Sequence, residues 1–337
     1  MISSGKPSRQ PTRTPWTRER LERERAIALG QAIDSSTWNN YSSALNSYLE
    51  FVKIHNFPIE PTPDTLSFFT VFMSFHIKPD SVDTYLSGIC QQLEPYFPNV
   101  RKNRKSPLVH RTLEGCRRIR AIPTSRKRAL TMDDLGLIIK YYANSTDHDD
   151  LLFLSLLVVG FFTLMRLGEL TYPDDKKLRN PLKVTKRTSV IISDESFQFF
   201  LPGHKADKFF EGNMIVLSRS PAPRSQIDTY LHFSKYLASR DRLYPFSSPL
   251  WLLHNGTIPT RSFFLNRIRF FFDKDVAGQS LRAGGATALA EMGSPPSLIQ
   301  AIGRWSSESF RIYVRKSPVL IQAMLFAKNR DPTLPNF

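Results

Sequence analysis

Four segments of the sequence carry side chains of the kinds that phosphodiester cleavage without a metal requires. Those are a nucleophile, fixed cations for the non-bridging oxygens, and an acid for the departing 5′ oxygen. GFFTLMRLGEL places Arg166 just past an apolar run, with Glu169 within reach to orient it. LPGHKADKFFEG places Lys205 in a turn between two β-prone runs, with Lys208 as a competitor for the same role. GQSLRAGGATALAEMG places Arg282 in what reads as the first turn of a helix, where free backbone N–H groups favour a phosphate. GRWSSESFRIYVRK supplies Tyr313 near the end of the chain, flanked by Arg311 and Arg315.

Taken singly, each of these residues has an ordinary explanation. Arg166 at the end of an apolar helix could complement the helix dipole. Lys205 could be any exposed turn lysine, Gly284 and Gly285 could serve only close helix packing, and a lone tyrosine is more often a packing residue than a nucleophile. Other chemistries have less to stand on. The histidines, His55, His76, His110, His148, His204, His232 and His254, are scattered without a two-histidine or Cys/His ligand spacing, so no metal site is expected. A phosphate-cradling GxxxxGK[ST] loop is missing from the sequence, so ATP is not expected to be needed.

The elements that would position these groups follow from apolar spacing. Residues 1–33 open as a polar Pro/Ser/Arg tail, expected to be disordered, and pass into a loosely attached helix of interleaved charges in TRERLERERAIALGQAI. Residues 34–122 predict a four-helix bundle, with stripes at Trp38 to Val52, Leu66 to Phe75, Val82 to Leu93 and Leu108 to Ile119. Residues 123–130 read as a basic linker around Pro123. A second domain, 131–337, begins at Thr131, whose hydroxyl can cap a helix with Asp134 three residues on. A buried helix from Asp149 to about Leu164 would form its centre. Val190 to Ile192, Phe197 to Leu201 and Met214 to Leu217 predict a small antiparallel sheet. Helical patterns return at Ile227 to Leu237, Ser262 to Phe272, Leu281 to Met292, Pro295 to Ile302 and Val319 to Lys328.

The formal charge is +16 over 337 residues, which favours a polyanionic partner and names no reaction. The charge is concentrated in Arg101, Lys102, Arg104, Lys105, Arg111, Arg117, Arg118, Arg120, Arg126, Lys127 and Arg128, against Glu114 as the one acid of that stretch. Such a run is a candidate phosphate-binding surface, or else a solvated helix face with a protease-sensitive linker. Cys90 and Cys116 fall in helical stretches and predict no disulfide framework, consistent with a reducing interior. The most apolar run, Leu151 to Met165, is too short to cross a bilayer comfortably, and no signal-peptide pattern opens the chain.

In this order and combination the four reactive segments closely resemble the tyrosine recombinase, or phage integrase, family over roughly residues 131 to 330. The GRWSS string is most similar to eukaryotic transposon-borne members, the crypton-like and DIRS-like enzymes. The resemblance implies a mainly α, two-domain fold: a helical, SAM-like core-binding domain and a mostly helical α+β catalytic domain with a small antiparallel sheet. It makes Arg166 and Arg282 the two phosphate-holding arginines, Lys205 the hairpin lysine that protonates the leaving oxygen, and Tyr313 the nucleophile. Attack would leave a 3′-phosphotyrosyl link and a free 5′-hydroxyl, without a metal or other cofactor. Where the family has His three residues before the second arginine this chain has Gln279, which can hydrogen-bond a phosphate but cannot exchange a proton near neutral pH. The family's His or Trp after glycine falls on Trp305, if the block is one residue shorter, or on Arg304 if the spacing is kept. Trp305 is preferred because the whole GRWSS string matches.

The implied partners are double-stranded DNA and three further copies of the chain in a synapse, with a monomer off DNA, no membrane, and the nucleus as location. The basic residues expected to touch DNA are Arg101, Lys102, Arg104, Lys105, Arg117, Arg118, Arg120, Arg126, Lys127 and Arg128. Three alternatives remain. A DNA-binding relic would keep the fold without strand exchange, a type IB topoisomerase-like enzyme would share the chemistry and relax supercoils, and a basic interaction protein would bind DNA with little salt sensitivity.

Overall fold

The computed structural model describes residues 13–120, 127–203, 207, 211–218 and 227–305. The chain divides into two compact units, Met1–Thr124 and Ser125–Phe337. It is mostly helical with one small sheet, as the sequence pattern predicts.

In the first unit, proline at the head of a helix recurs as a start signal. Thr62, Lys78 and Ser106 are followed by Pro63, Pro79 and Pro107, where a missing N–H costs nothing because the first helical amides have no intrahelical partner anyway. The helices are α1 (Arg18–Gln31), α2 (Ser35–Ile54), α3 (Pro63–Ser74), α4 (Pro79–Leu93), α5 (Val100–Arg104) and α6 (Pro107–Ile119). The short α5 is not visible in the apolar spacing, because five residues are too few to show a stripe. Helix α2 packs on α4 and α3 on α6. Their inner faces meet in a core of Tyr48, Phe51, Leu66, Phe69, Val82, Leu86, Ile89, Val109 and Leu113. Tyr48 and Phe51 both meet Phe69 edge to face, with ring centres 5.5 and 5.4 Å apart. Cys90 and Cys116 are buried free thiols on α4 and α6.

The second unit is built on α8 (His148–Phe162), whose residues are apolar on every side after the first turn and are buried accordingly. Around it stand α7 (Met132–Tyr141), α10 (Thr229–Leu243) and α12 (Gly278–Glu291). Thr131 and Asp134 form the reciprocal capping box expected at the start of α7. The remaining helices are α9 (Leu167–Leu170), α11 (Arg261–Phe271) and α13 (Pro296–Ile302). The sheet runs β1 (Ile191–Ile192), β2 (Ser196–Leu201), β3 (Asn213–Ser218), antiparallel throughout, with Phe199 opposite Ile215. Its inward side chains, Phe197, Phe199, Leu201, Ile215 and Leu217, face Phe233, Tyr236 and Trp251, and Phe197 stacks on Phe233 at 4.0 Å.

Three details depart from the sequence reading. Helix α12 begins at Gly278, ahead of the expected Leu281, so Arg282 stands in its second turn and Gln279 occupies the first. The cause is Ser280, whose hydroxyl accepts from the Ala277 amide at 2.9 Å and starts the helix early. Helix α10 runs six residues beyond Leu237 because the fully buried Arg240 guanidinium binds the carbonyls of Tyr244, Ser247 and Pro249, which ties the end of the helix to the next loop. Lys127 and Arg128, read as linker, are held by the second unit: Lys127 Nζ donates to the Lys274 carbonyl at 2.6 Å, and Arg128 pairs with Asp134 at 2.5 Å and Asp275 at 3.4 Å.

Candidate active site

Helix α12 reaches α8 at backbone distance, and this fixes where Arg282 emerges. A Cβ at Gly284 would strike the Leu130 carbonyl, and one at Gly285 would strike the Phe161 carbonyl. The glycines therefore permit close packing, as their ordinary explanation holds, and that packing buries Arg282. Arg282 is 5% exposed. Its Nη1 donates to the Leu164 carbonyl at 3.0 Å, its Nη2 donates to the Gly303 carbonyl, and its guanidinium lies 4.2 Å from the centre of the Trp305 ring. Gly303 is required here because any Cβ would enter that same indole.

The turn after α8 supplies the other side. Leu164 has φ +52°, a left-handed conformation rare outside glycine, and this turns its carbonyl towards Arg282. Two residues on, Arg166 is the N-cap of α9 rather than the C-terminal charge of α8, which ends at Phe162. Its amide donates to Glu169 Oε2 at 3.0 Å and its Nη1 to Glu169 Oε1 at 2.8 Å. The side chain of Arg166 stays 29% exposed, and its Nε and Nη2 have no acceptor among the described residues.

A third guanidinium joins them. Arg304, also left-handed at φ +54°, extends its 8% exposed side chain to Glu169 Oε2 at 3.0 Å. The same guanidinium donates to the carbonyls of Thr163, Leu164 and Ile302. Burial pushes the Arg304 pKa down, Glu169 pulls it up, and the nearby Arg166 charge adds to the downward push. Three arginines thus gather around one buried carboxylate and one shared carbonyl. The donors of Arg166 that have no acceptor among the described residues are suited to an oxyanion.

Of the sequence-predicted site residues, Arg166, Arg282 and Trp305 are brought together. Gln279 is exposed on the first turn of α12, and no hydrogen bond of its side chain is seen. Lys205 and Tyr313, with Lys208, Arg311 and Arg315, lie outside the described residues, as does the expected helix Val319 to Lys328. The segment bearing Lys205 joins β2 to β3. Within it Asp207 accepts from the amides of Glu211 and Gly212 at 3.1 and 2.8 Å, and Gly212 takes φ +71°. The sequence offers Arg304 only as the alternative to Trp305, and its link to Glu169 was not visible there, since the two lie 135 positions apart and its other partners are main-chain carbonyls, which leave no side-chain signature.

In the first unit the basic stretch is less free than its composition suggests. Arg101 binds Glu94 at 2.7 Å, Arg104 binds Asp83 at 2.9 Å, and Arg117 binds Asp80, Asp83 and Glu114 at 2.9, 3.4 and 2.5 Å. Those acids, apart from Glu114 and Glu94, sit on α4, more than twenty positions away, which is why counting charge along residues 101–128 missed them. Arg120 lies over the Phe75 ring at 3.3 Å. Lys102, Lys105, Arg111 and Arg118 are exposed. Arg126 lies outside the described residues. No helix among the described residues is long and apolar enough to cross a membrane, and no cluster of three metal-ligating side chains occurs among them.

No family model and no curated protein matches the chain. Solved structures do match its fold. XerH site-specific recombinase, bound to a palindromic difH substrate in a post-cleavage complex, superposes with a TM-score of 0.58 at 16% identity, over 87% of this chain and 79% of that one. A lambda integrase dimer bound to a COC′ core site gives 0.53 at 14% identity, over 95% and 98%. A lambda integrase tetramer bound to a Holliday junction gives 0.52 at 15% identity, over 87% and 75%. These neighbours are tyrosine recombinases and integrases, and the likeness is one of fold.

Proposed function

We propose that this protein is a tyrosine recombinase of a mobile element, acting in the nucleus, which breaks and rejoins DNA through a phosphotyrosyl intermediate. The observation that carries this reading is the arginine group on a recombinase fold: among the described residues Arg166 and Arg304 pair with the buried Glu169 carboxylate, and Arg282 shares the Leu164 carbonyl with Arg304. Guanidinium donors left open beside a buried ion pair are suited to an anion, and a scissile phosphate is such an anion. Arg166 has the unused donors for it, while Arg282 is fixed at the centre by Trp305 and two carbonyls.

In this reading the Tyr313 hydroxyl attacks phosphorus and gives its proton to water. The P–O5′ bond breaks, Lys205 gives a proton to the departing oxygen, and the energy of the broken bond is kept in the new P–O(Tyr) bond. A 5′-hydroxyl from another strand reverses the step and completes exchange. The DNA-bound neighbours, one of them a tetramer on a Holliday junction, support duplex DNA and further copies of the chain as partners. GRWSS at 303–307 supports the transposon-borne, crypton-like or DIRS-like branch.

The test is incubation of the full chain with a nicked duplex, selected from a random-sequence pool by its affinity for the protein, followed by a denaturing gel. A covalent band that Tyr313→Phe abolishes is expected. A second reading, a DNA-binding relic, has Gln279 in its favour, since that residue can carry no proton at the active centre. Salt-sensitive binding with no covalent band from the unsubstituted protein would establish the relic and exclude strand transfer.

A further inference from the structure

We infer that Arg304 is a positioning residue of this site: it holds the Glu169 carboxylate against Arg166 and makes no phosphate contact of its own. Donor accounting separates the two arginines. A guanidinium has two hydrogens on each Nη and one on Nε. For Arg304, Nη1 serves the carbonyls of Ile302 at 3.0 Å and Thr163 at 3.3 Å, and Nη2 serves Glu169 Oε2 at 3.0 Å and the Leu164 carbonyl at 3.4 Å. The remaining Nε is buried without an acceptor. The two Nη groups are thus fully spent, and the one spare donor is buried out of reach of a substrate. Arg166 is the reverse case, with one Nη spent on Glu169 and the rest of its fork available.

The position of Arg304 also carries costs that packing alone does not explain. Its backbone is left-handed, its charge is buried, and its Nε has no partner. Each follows from one geometric demand, that a side chain leaving the end of α13 should reach the α8–α9 turn and the carboxylate beyond it. Glu169 is 5% exposed, and its Oε2 is shared between the Arg166 amide and Arg304 Nη2. Without Arg304, that oxygen would keep one neutral donor inside the protein, and the carboxylate would be freed to rotate away from Arg166. Leu164 links the remaining member, because its carbonyl accepts from both Arg282 and Arg304. Arg304 therefore fixes the placement of Arg166 through Glu169, while Arg282 keeps its own anchors on the Leu164 and Gly303 carbonyls, and the catalytic part of this consequence rests on the function proposed above.

A double-mutant cycle on the full chain tests it, using Arg166→Met, Arg304→Met and the pair, with Arg304→Lys and Glu169→Gln as further variants should Arg304→Met fail to fold. The probe is the nicked duplex described above, read two ways: the single-turnover rate of the covalent band, and the slope of log affinity against log salt. Arg304→Lys keeps the charge but cannot span four acceptors, so its rate falls about tenfold or more while its melting temperature stays close to that of the parent. Arg304→Met in the Arg166→Met background adds nothing further to either readout. Additive losses, an undiminished rate in both Arg304 variants, or a loss of slope from Arg304→Met that persists without Arg166 would overturn the inference. If the unsubstituted protein gives no covalent band, the proposed function fails, and the salt slope alone decides the role of Arg304.

Discussion

Arg282 lies under the Trp305 ring, its guanidinium carbon 4.2 Å from the ring centre, while both ends of the fork bind main-chain carbonyls. A cation held on an aromatic face gains most from indole, less from a phenyl ring, and nothing from a methyl group. Trp305→Phe is therefore expected to cost about 1 kcal/mol and Trp305→Ala about 2 to 4 kcal/mol, the larger figure including the cavity left behind. Urea denaturation of the full chain measures both, and equal losses would mean that the ring does not hold Arg282.

Alanine at Gly284 or Gly285 brings a methyl group against the carbonyl of Leu130 or Phe161, and backbone cannot yield as a flexible side chain would. Each substitution is expected to destabilise the second unit by about 3 kcal/mol or more. The effect is seen as a lowered melting temperature, whereas alanine at the exposed Gly136, whose added Cβ meets nothing, should leave the melt unchanged or raise it.

Two aspartates contribute to the response to acid. Burial raises the pKa of Asp134, but Arg128 and the Thr131 amide and hydroxyl lower it further, so the net shift is downward. Asp241 behaves alike between Arg187 and Arg240. For a carboxylate depressed by folding, the stabilisation is complete above the ordinary value of 3.8 and disappears as pH falls below it through the folded value. Their contribution, read as the difference in urea stability between the parent and Asp134→Asn or Asp241→Asn, should thus be flat above about pH 5 and shrink towards pH 2 to 3, beneath the separate loss expected as the half-buried His232 protonates below its ordinary value. An unchanged acid limb in both variants would show that neither group contributes.

Within the basic stretch, residues with and without acidic partners should separate in a salt titration. Replacing Lys102, Lys105 or Arg118 by Gln is expected to lower the slope of log affinity against log salt by about 0.9 for each phosphate that is no longer neutralised. Replacing Arg101, Arg104 or Arg117, which brace α4 against α5 and α6, should cost stability and change the slope less. The reverse order would place the phosphate-binding role on the paired arginines.

The longer helices of both units and the three strands were legible because apolar spacing is a property of neighbouring positions, and α8 stood out as apolar on all sides, whereas the short α5 and α9 were not. The Thr131 and Asp134 cap was legible for the same local reason. What escaped was set by side-chain bonding that apolar spacing does not register, some of it far along the chain. The early start of α12 depended on a serine bonding back to Ala277, and the neutralisation of Arg104 and Arg117 on acids from another helix. Arg304 illustrates the limit best, since three of its partners are carbonyl oxygens that any residue type could supply and the fourth, Glu169, is 135 positions away.

On the function proposed above, the backbone-to-backbone seam between α8 and α12 has a consequence for the DNA substrate. Helices that touch through their main chains cannot slide or tilt without collision, so the cationic groups mounted on and beside them form part of a stiff frame. Distortion needed to set a strand in line must then fall on the nucleic acid, and sites with easily unstacked base steps would be cut most readily for reasons unrelated to any base the protein touches.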